Sequence, residues 1–237
     1  MVVKELWLIW RSGDAAHRSR YKVGILQWDP EADTYTFRYD HGDDLEAARK
    51  IGFVSFPGFE DLNKTYKIEN KLFSNIAARL PKPERDDYLD ILNRYDLDAF
   101  DKQFTILVAT RGRQITDNFE FVPAFQKNKV EYDVAGVDHR QIDDLNTSVE
   151  EGYLVSGARL NLEREKNNRY DSSAIRILLP AGKRKVFIGY VPKYYSKYLA
   201  EKLDAGTDYS AVIAKVDLGS KIRDEKISAV VRLKFAE

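Results

Sequence analysis

The chain contains no cysteine among its 237 residues. It can therefore form no disulfide, cysteine–zinc site or thiol nucleophile, and this composition is typical of cytosolic proteins. No hydrophobic run approaches the ~20 residues that a membrane-spanning helix needs. The first residues also lack the basic start and small-residue cleavage site of a signal peptide. We therefore expect a cytoplasmic protein without a membrane partner.

Net charge is also missing, because 38 basic residues balance 38 acidic residues. We therefore do not expect an overall electrostatic field that attracts nucleic acid. The charge is unevenly distributed, however. Residues 152–200 contain ten basic and three acidic residues, an excess of seven positive charges. Such an excess more often marks a solvated face than a binding site, so by itself it only permits a nucleic-acid partner.

Patterns typical of catalysis or metal binding are scarce. The three histidines, His17, His41 and His139, are far apart and show no metal-ligand spacing. The best nuclease-like set, Asp117, Glu120 and Lys127, lacks the surrounding sequence of a nuclease core. We therefore expect no metal, no cofactor and no enzymatic activity, and a nuclease remains the second alternative.

Two blocks of pattern divide the chain. In the first, alternation predicts strands and a hairpin, four-residue spacing predicts helices, and strand formers return later. These strands are expected at 5–10, 21–28, 34–39, 104–108 and 119–122, and the helices at 70–80 and 84–95. After a linker at 127–129, strands are expected at 130–137, 160–164, 174–179, 187–191, 212–216 and 227–235, with a helix at 193–203. The restart predicts two domains, 1–125 and 130–237.

Two short motifs in the second block are typical of one family. Residues 163–175 read Glu-Arg-Glu-Lys-Asn-Asn-Arg-Tyr-Asp-Ser-Ser-Ala-Ile, and residues 189–193 read Gly-Tyr-Val-Pro-Lys. Both resemble signatures of the HIRAN domain. The usual form of the first is Arg-Glu-Pro-x-Asn-x-Tyr-Asp-x-x-Ala-Ile, so that Lys166 replaces the proline. Upstream, Ala135-Gly136-Val137 resembles the first strand of that family.

The resemblance implies both a fold and a partner. It implies a small β-barrel of the OB or SH3-like kind with one helix. Together with the first block, whose pattern predicts a mixed N-terminal domain of one antiparallel sheet and two helices, this predicts an α+β fold class. The best-understood member of the family binds the 3′ end of single-stranded DNA. By resemblance, the nucleic-acid-binding residues are His139, Arg140, Arg164, Asn168, Tyr170, Asp171, Tyr190 and Lys193.

The roles implied for these residues agree with their chemistry. A tyrosine ring stacks on any base, a contact worth about 1–3 kcal/mol. The carboxylate of Asp171 can accept a hydrogen bond from a terminal 3′-hydroxyl but would repel an internal phosphate. The family has an arginine–tyrosine pair where this chain has Asp138 and His139, with Arg140 one step later. A competing interpretation gives Asp171 a purely local turn role and Arg164 a structural ion pair.

The first block resembles, more weakly, the N-terminal subdomain of HipA-type kinases. The resemblance rests on Gly24-Ile25-Leu26, on Phe56-Pro57-Gly58-Phe59 and on Leu72-Phe73-Ser74-Asn75. It implies an interaction module with a protein partner, since the sequence has no kinase catalytic motifs. The main hypothesis is thus a non-enzymatic adaptor that binds single-stranded DNA or DNA ends. The first alternative is a regulatory, antitoxin-like subunit that binds a HipA-type kinase and uses its HIRAN part only structurally.

Overall fold

The computed structural model describes residues 3–13, 19–126, 128–136, 139–217 and 228–236. The chain divides into two compact units, Met1–Ala124 (unit 1) and Phe125–Glu237 (unit 2). Each unit has its own sheets and helices. Across the described ranges, no helix has the length and apolar character needed to span a membrane.

Unit 1 is built on a five-stranded antiparallel sheet. Its strands are β1 (Glu5–Arg11), β2 (Arg20–Asp29), β3 (Thr34–Tyr39), β4 (Tyr66–Glu69) and β5 (Phe119–Pro123). They lie in the order β4-β3-β2-β1-β5. The hairpin expected from the alternation on either side of residue 30 is formed, with Asp29 paired to Thr34 next to the turn. Strand β4 is an addition that its short sequence did not predict.

Four helices accompany this sheet among the described residues. They are α1 (Asp43–Lys50), α2 (Ser74–Ala77), α3 (Tyr88–Arg94) and α4 (Gln103–Thr110). Both predicted helices exist, but each is shorter than expected. The strand predicted at 104–108 is wrong, because these residues lie in α4. Helical spacing buries Phe104 together with Leu107, and the ring of Phe104 packs 5.1 Å from that of Trp28. This burial overrides the strand preference of the segment.

The core of unit 1 is rich in aromatic rings around the loop at 56–59. The rings of Phe37 and Phe59 stack with their centroids 4.3 Å apart. The buried hydroxyl of Tyr39 accepts a hydrogen bond from the backbone N–H of Phe56 and donates one to the carbonyl of Phe59, at 2.8 and 2.6 Å. Burial raises the pKa of Tyr39 to about 12. The loop is therefore fastened from both sides by one side chain.

Unit 2 contains two three-stranded sheets. Its strands are β6 (Lys129–Asp133), β7 (Asn161–Arg164), β8 (Ile175–Ala181), β9 (Arg184–Tyr190), β10 (Tyr209–Asp217) and β11 (Ser228–Phe235). One sheet has the order β10-β11-β6 and the other has the order β7-β8-β9. Helix α6 (Lys193–Asp204) follows β9, as predicted, while helix α5 (His139–Glu150) was not predicted. Leu145 and Ser148 are buried on one side of α5.

The β-barrel expected for unit 2 does not close into one continuous sheet. The two sheets meet through isolated bridges, which pair Ala135 with Tyr190 and Arg159 with Val212. Strand β6 ends at Asp133, before the bridge, and β7 begins after Arg159, so regular pairing is interrupted at both junctions. The α+β class is confirmed, whereas the closed barrel with a single helix is wrong.

Candidate nucleic-acid interface

The turn between β7 and β8 is built around the side chain of Asn168. Its oxygen accepts hydrogen bonds from the backbone N–H groups of Tyr170 and Asp171, at 2.9 and 3.1 Å. Its amide nitrogen donates to the carboxylate of Glu165 at 2.6 Å. Asparagine favours such local bonds, which fix the path of a turn without a regular ladder. Asn168 therefore sets the backbone of the next three residues.

Tyr170 is held by this turn but projects into solvent. Its exposed fraction is 70%, so most of the residue is accessible to solvent. The guanidinium carbon of Arg169 lies 4.5 Å from the ring centroid, so the two side chains form a cation–π pair. A rigid backbone thus presents an accessible ring with a positive charge beside it. This combination suits the stacking of a base next to a phosphate.

Asp171 links the turn to helix α6. One carboxylate oxygen accepts a hydrogen bond from the backbone N–H of Ser173 at 2.8 Å. The other accepts from the hydroxyl of Ser196, which is buried, at 2.7 Å. These bonds give Asp171 a structural role, as the competing interpretation expected. Each carboxylate oxygen keeps a further lone-pair site, so the group can still accept a hydrogen bond from a ligand.

Tyr190 and Glu165 form the wall beside the turn. The hydroxyl of Tyr190 donates to the Glu165 carboxylate at 3.0 Å. The amide of Asn168 and, less strongly, this hydroxyl hold the pKa of Glu165 below its usual range. Burial, followed by the hydrogen bond to Glu165, raises the pKa of Tyr190. The ring of Tyr190 also packs closely on Gly136, whose φ is +71° and where a Cβ would lie 3.0 Å from the ring.

Arg164 lies among partners of its own unit. Its guanidinium contacts the carboxylate of Asp204 at 3.2 Å and donates to the carbonyls of Ala174 and Ser172 at 2.8 and 3.3 Å. Its side chain is only 15% exposed. An arginine with these partners braces the two ends of the turn, so the structure favours the ion-pair interpretation of Arg164.

The remaining predicted residues lie at helix starts. Lys193 is the first residue of α6 and is partly buried. His139 and Arg140 begin α5. Their side chains and the whole of Asp138 lie outside the described residues, so the predicted phosphate contacts there stay predictions. The structure therefore brings together Asn168, Tyr170, Asp171 and Tyr190.

Residues 127–231 match the HIRAN domain family. The chain contains a HIRAN domain. The HIRAN domain of human HLTF is similar, at 17% identity, over 46% of this chain and 74% of that chain, with a TM-score of 0.31. A crystal structure of a protein from Lactobacillus plantarum is similar at 23% identity, over 46% of this chain and 93% of that one, also with a TM-score of 0.31. Among curated proteins, none matches the chain.

Several residues of the HIRAN domain that shape this surface were missed by sequence reasoning. Glu165 lies within the quoted signature, and Ser196 comes one helical turn after Lys193, so each carried a local signal. The excess of positive charge in residues 152–200 is also partly neutralised by acidic residues from outside that window. Arg164 and Lys166 contact Asp204, and Arg184 contacts Glu151, both acids outside that window.

The acids of the nuclease-like set in unit 1 are engaged in ion pairs. Asp117 binds the guanidinium of the buried Arg79 through two hydrogen bonds. Glu120 is buried and pairs with Arg20 at 3.1 Å and Arg113 at 2.6 Å. Lys127 lies outside the described residues. Nowhere in the described ranges do three histidine, aspartate or glutamate side chains cluster so as to hold a metal ion.

Unit 1 has a shallow groove of about 310 Å³ beside its edge strand β4. Its floor includes Phe59 and Phe73, and its rim includes Lys64 and Lys67. The side chain of Lys67 is 61% exposed, and its ammonium lies 3.2 Å from the carboxylate of Glu69. An edge strand presents unpaired backbone groups, which makes this groove a suitable place for an extended peptide.

Proposed function

We propose that the protein is an adaptor without catalytic activity, whose HIRAN domain binds single-stranded DNA at the turn between β7 and β8. The observation that carries the proposal is the 70% exposed ring of Tyr170, which stands on a backbone fixed by Asn168 and lies against Arg169. A ring on a rigid backbone loses little conformational entropy when a base stacks on it. Stacking of this kind does not read sequence, so we expect little base preference.

We further propose that the site prefers the 3′ end of a strand. The Asp171 carboxylate lies next to Tyr170 in the chain and retains acceptor capacity after its bonds to Ser173 and Ser196. A terminal 3′-hydroxyl can donate to it, whereas a phosphate in the same place would set two anions against each other. The same carboxylate thus favours an end over an internal stretch.

The test changes the DNA and leaves the protein intact, because Asp171 also holds the turn. Fluorescence anisotropy with the full chain should compare three single strands of equal length and composition. The first ends in a 3′-hydroxyl, the second ends in a 3′-phosphate, and the third is circular. We expect the tightest binding for the free 3′-hydroxyl. Equal affinity for all three would reject end recognition and retain DNA binding, and no binding to any would reject the proposed function.

A second candidate function, binding of a protein partner, is supported by the groove beside β4. An extended segment of the partner would pair with this edge strand, and Lys64 and Lys67 favour acidic residues on that segment. The HipA-like resemblance of residues 1–125 and a kinase partner remain predictions. If a HipA-type kinase binds the full chain, its affinity should be lower for the Lys67→Glu variant than for the wild type. The Arg38→Glu variant, which changes an exposed cation on β3, should bind the kinase as the wild type does. Equal binding by both variants would place the contact elsewhere.

A further inference from the structure

A second cation–aromatic pair lies on the sheet β7-β8-β9. The guanidinium carbon of Arg176 lies 4.9 Å from the ring centroid of Phe187. Arg176 pairs across the strands with Tyr190, and Leu178 pairs with Phe187, which places these side chains on one face of the sheet. Phe187 also meets Tyr190 edge to face, at 5.0 Å between centroids. The pair is therefore built into the sheet.

This face continues the surface of the turn. Tyr190 reaches Glu165 through its hydroxyl, and Glu165 holds Asn168, which fixes the backbone N–H of Tyr170. A chain of contacts thus leads from the backbone of Tyr170 at the turn to the Phe187 ring. The turn and this sheet face are therefore connected, and the nucleotides that precede a strand end at Tyr170 can extend toward the face.

Positive charge follows the same direction. The side chain of Arg176 is 35% exposed, and its guanidinium lies against the Phe187 ring and 4.0 Å from the carboxylate of Glu163, its cross-strand neighbour on β7. Lys185 is exposed and pairs with Pro180, which places it on the same face, four residues along β8 from Arg176. At about 3.4 Å per residue this separation is about 14 Å. Two cations at this spacing can contact different phosphates of one strand.

Resting on the proposed function, we infer that Arg176, Phe187 and Lys185 form a second nucleic-acid subsite, which binds the backbone phosphates of the nucleotides that precede the strand end. Phe187 orients the planar guanidinium of Arg176, which can bind a phosphate through two parallel hydrogen bonds. Lys185 attracts the next phosphates as a point charge. The subsite adds affinity and salt dependence but no sequence preference.

The experiment compares a trinucleotide with a decanucleotide, both with a free 3′-hydroxyl, by anisotropy of the full chain at several salt concentrations. Each phosphate contact in single-stranded DNA contributes about −0.7 to the slope of log K against log salt. The decanucleotide should therefore show the steeper slope. Arg176→Gln with Lys185→Gln should make that slope shallower by about 1.4 and leave the trinucleotide slope unchanged.

Two variants keep the result interpretable. Lys185→Gln alone changes an exposed residue, and it should remove about half of the effect even if the change at Arg176 disturbs the sheet. Lys234→Gln removes an exposed charge from β11, in the other sheet, and should change neither slope. Equal slopes for the two oligonucleotides, or equal effects of Lys185→Gln and Lys234→Gln, would overturn the subsite. Failure of the wild-type chain to bind either oligonucleotide would reject the proposed function as well.

Discussion

The buried hydroxyl of Ser196 donates a hydrogen bond to the carboxylate of Asp171, with 2.7 Å between the two oxygens. This bond connects helix α6 with the turn that carries Tyr170. The candidate site therefore depends on a residue outside both sequence motifs. It also means that Asp171 acts in the fold whether or not it contacts DNA.

We predict that Ser196→Ala loosens the turn. Loss of a hydrogen bond to a charged group costs about 1–3 kcal/mol, and the backbone amides of residues 168–173 should exchange faster by the corresponding factor. Affinity for single-stranded DNA should fall, while the salt slope stays the same because no cation is removed. Ser172→Ala, at an exposed position in the same turn, is the matched control. Unchanged exchange in Ser196→Ala would show that the bond does not hold the turn.

Tyr170 should contribute to binding and not to stability. Because its ring is 70% exposed, Tyr170→Ala should leave thermal unfolding unchanged. If a base stacks on the ring, the same change should weaken single-stranded DNA binding by about 1–3 kcal/mol. Tyr170→Phe keeps the ring and should bind nearly as well as the wild type. A large loss in Tyr170→Phe would instead indicate that the hydroxyl makes the contact.

Acid should weaken the turn through Glu165. Since the hydrogen bond from Asn168 depresses the pKa of Glu165 in the folded state, its charged form is the one that stabilises the turn. That contribution is complete above the unfolded-state pKa of about 4.3 and is lost as pH falls through the lower folded value. Amide exchange at residues 168–171, corrected for intrinsic pH effects, should accelerate as pH falls below about 4.3.

Glu165→Gln provides the comparison for this pH dependence. Its side chain does not titrate, so the acceleration specific to residues 168–171 should disappear. General acid unfolding would affect both proteins and the whole chain alike. An identical pH profile in the wild type and in Glu165→Gln would contradict the assigned role of this carboxylate.

In unit 1, Tyr39→Phe should open the loop at 56–59. The change removes the partner of the Phe56 N–H and of the Phe59 carbonyl, both in the core. A buried group left without its hydrogen bond costs about 1–3 kcal/mol. Hydrogen exchange of the full chain should report this at the Phe56 amide. Tyr170→Phe should leave exchange in unit 1 unchanged.

The boundary of the second domain can be tested by truncation. The ring of Phe125 packs against Tyr198 at 6.4 Å, and the carbonyl of Asn128 accepts a hydrogen bond from the Phe235 N–H at 2.7 Å. One partner of each contact, Phe125 or Asn128, precedes residue 130. We therefore predict that a fragment of residues 125–237 folds alone and unfolds at a higher temperature than a fragment of residues 130–237. Equal melting temperatures would show that residues 125–129 do not stabilise the domain.

Much of the secondary structure was predictable because local signals and burial agree. Strand β3 alternates buried and more exposed residues as expected, and helix α6 buries Tyr195, Leu199 and Ala200 on one face. The prediction of a strand at 104–108 was wrong because the local sequence favours a strand, whereas Phe104 and Leu107 are buried at helical spacing. That burial depends on long-range packing, such as the contact of Phe104 with Trp28, which a local pattern does not reveal.

The candidate site was predictable to the extent that it lies in one continuous motif. Asn168, Tyr170 and Asp171 come from a single turn, and the resemblance named them. Arg176 and Phe187 meet only because two strands pair with a register shift between Ile177 and Leu178. A single sequence does not specify that register, so the second subsite could not be predicted from it. Arg164 was ambiguous for the same reason, since its partner Asp204 lies 40 residues away.

Strand β1 is hydrogen-bonded on one side to β2 and on the other to β5, which is separated from it by more than a hundred residues. During synthesis on the ribosome, β1 and β2 emerge early, but the outer edge of β1 must wait for residues 119–123. Until then, an edge with four consecutive buried residues, Leu6 to Ile9, is open to other chains. A nascent chain that stalls before Phe119 is thus at risk of aggregation, and closure of that edge is the late, non-local step in the folding of unit 1.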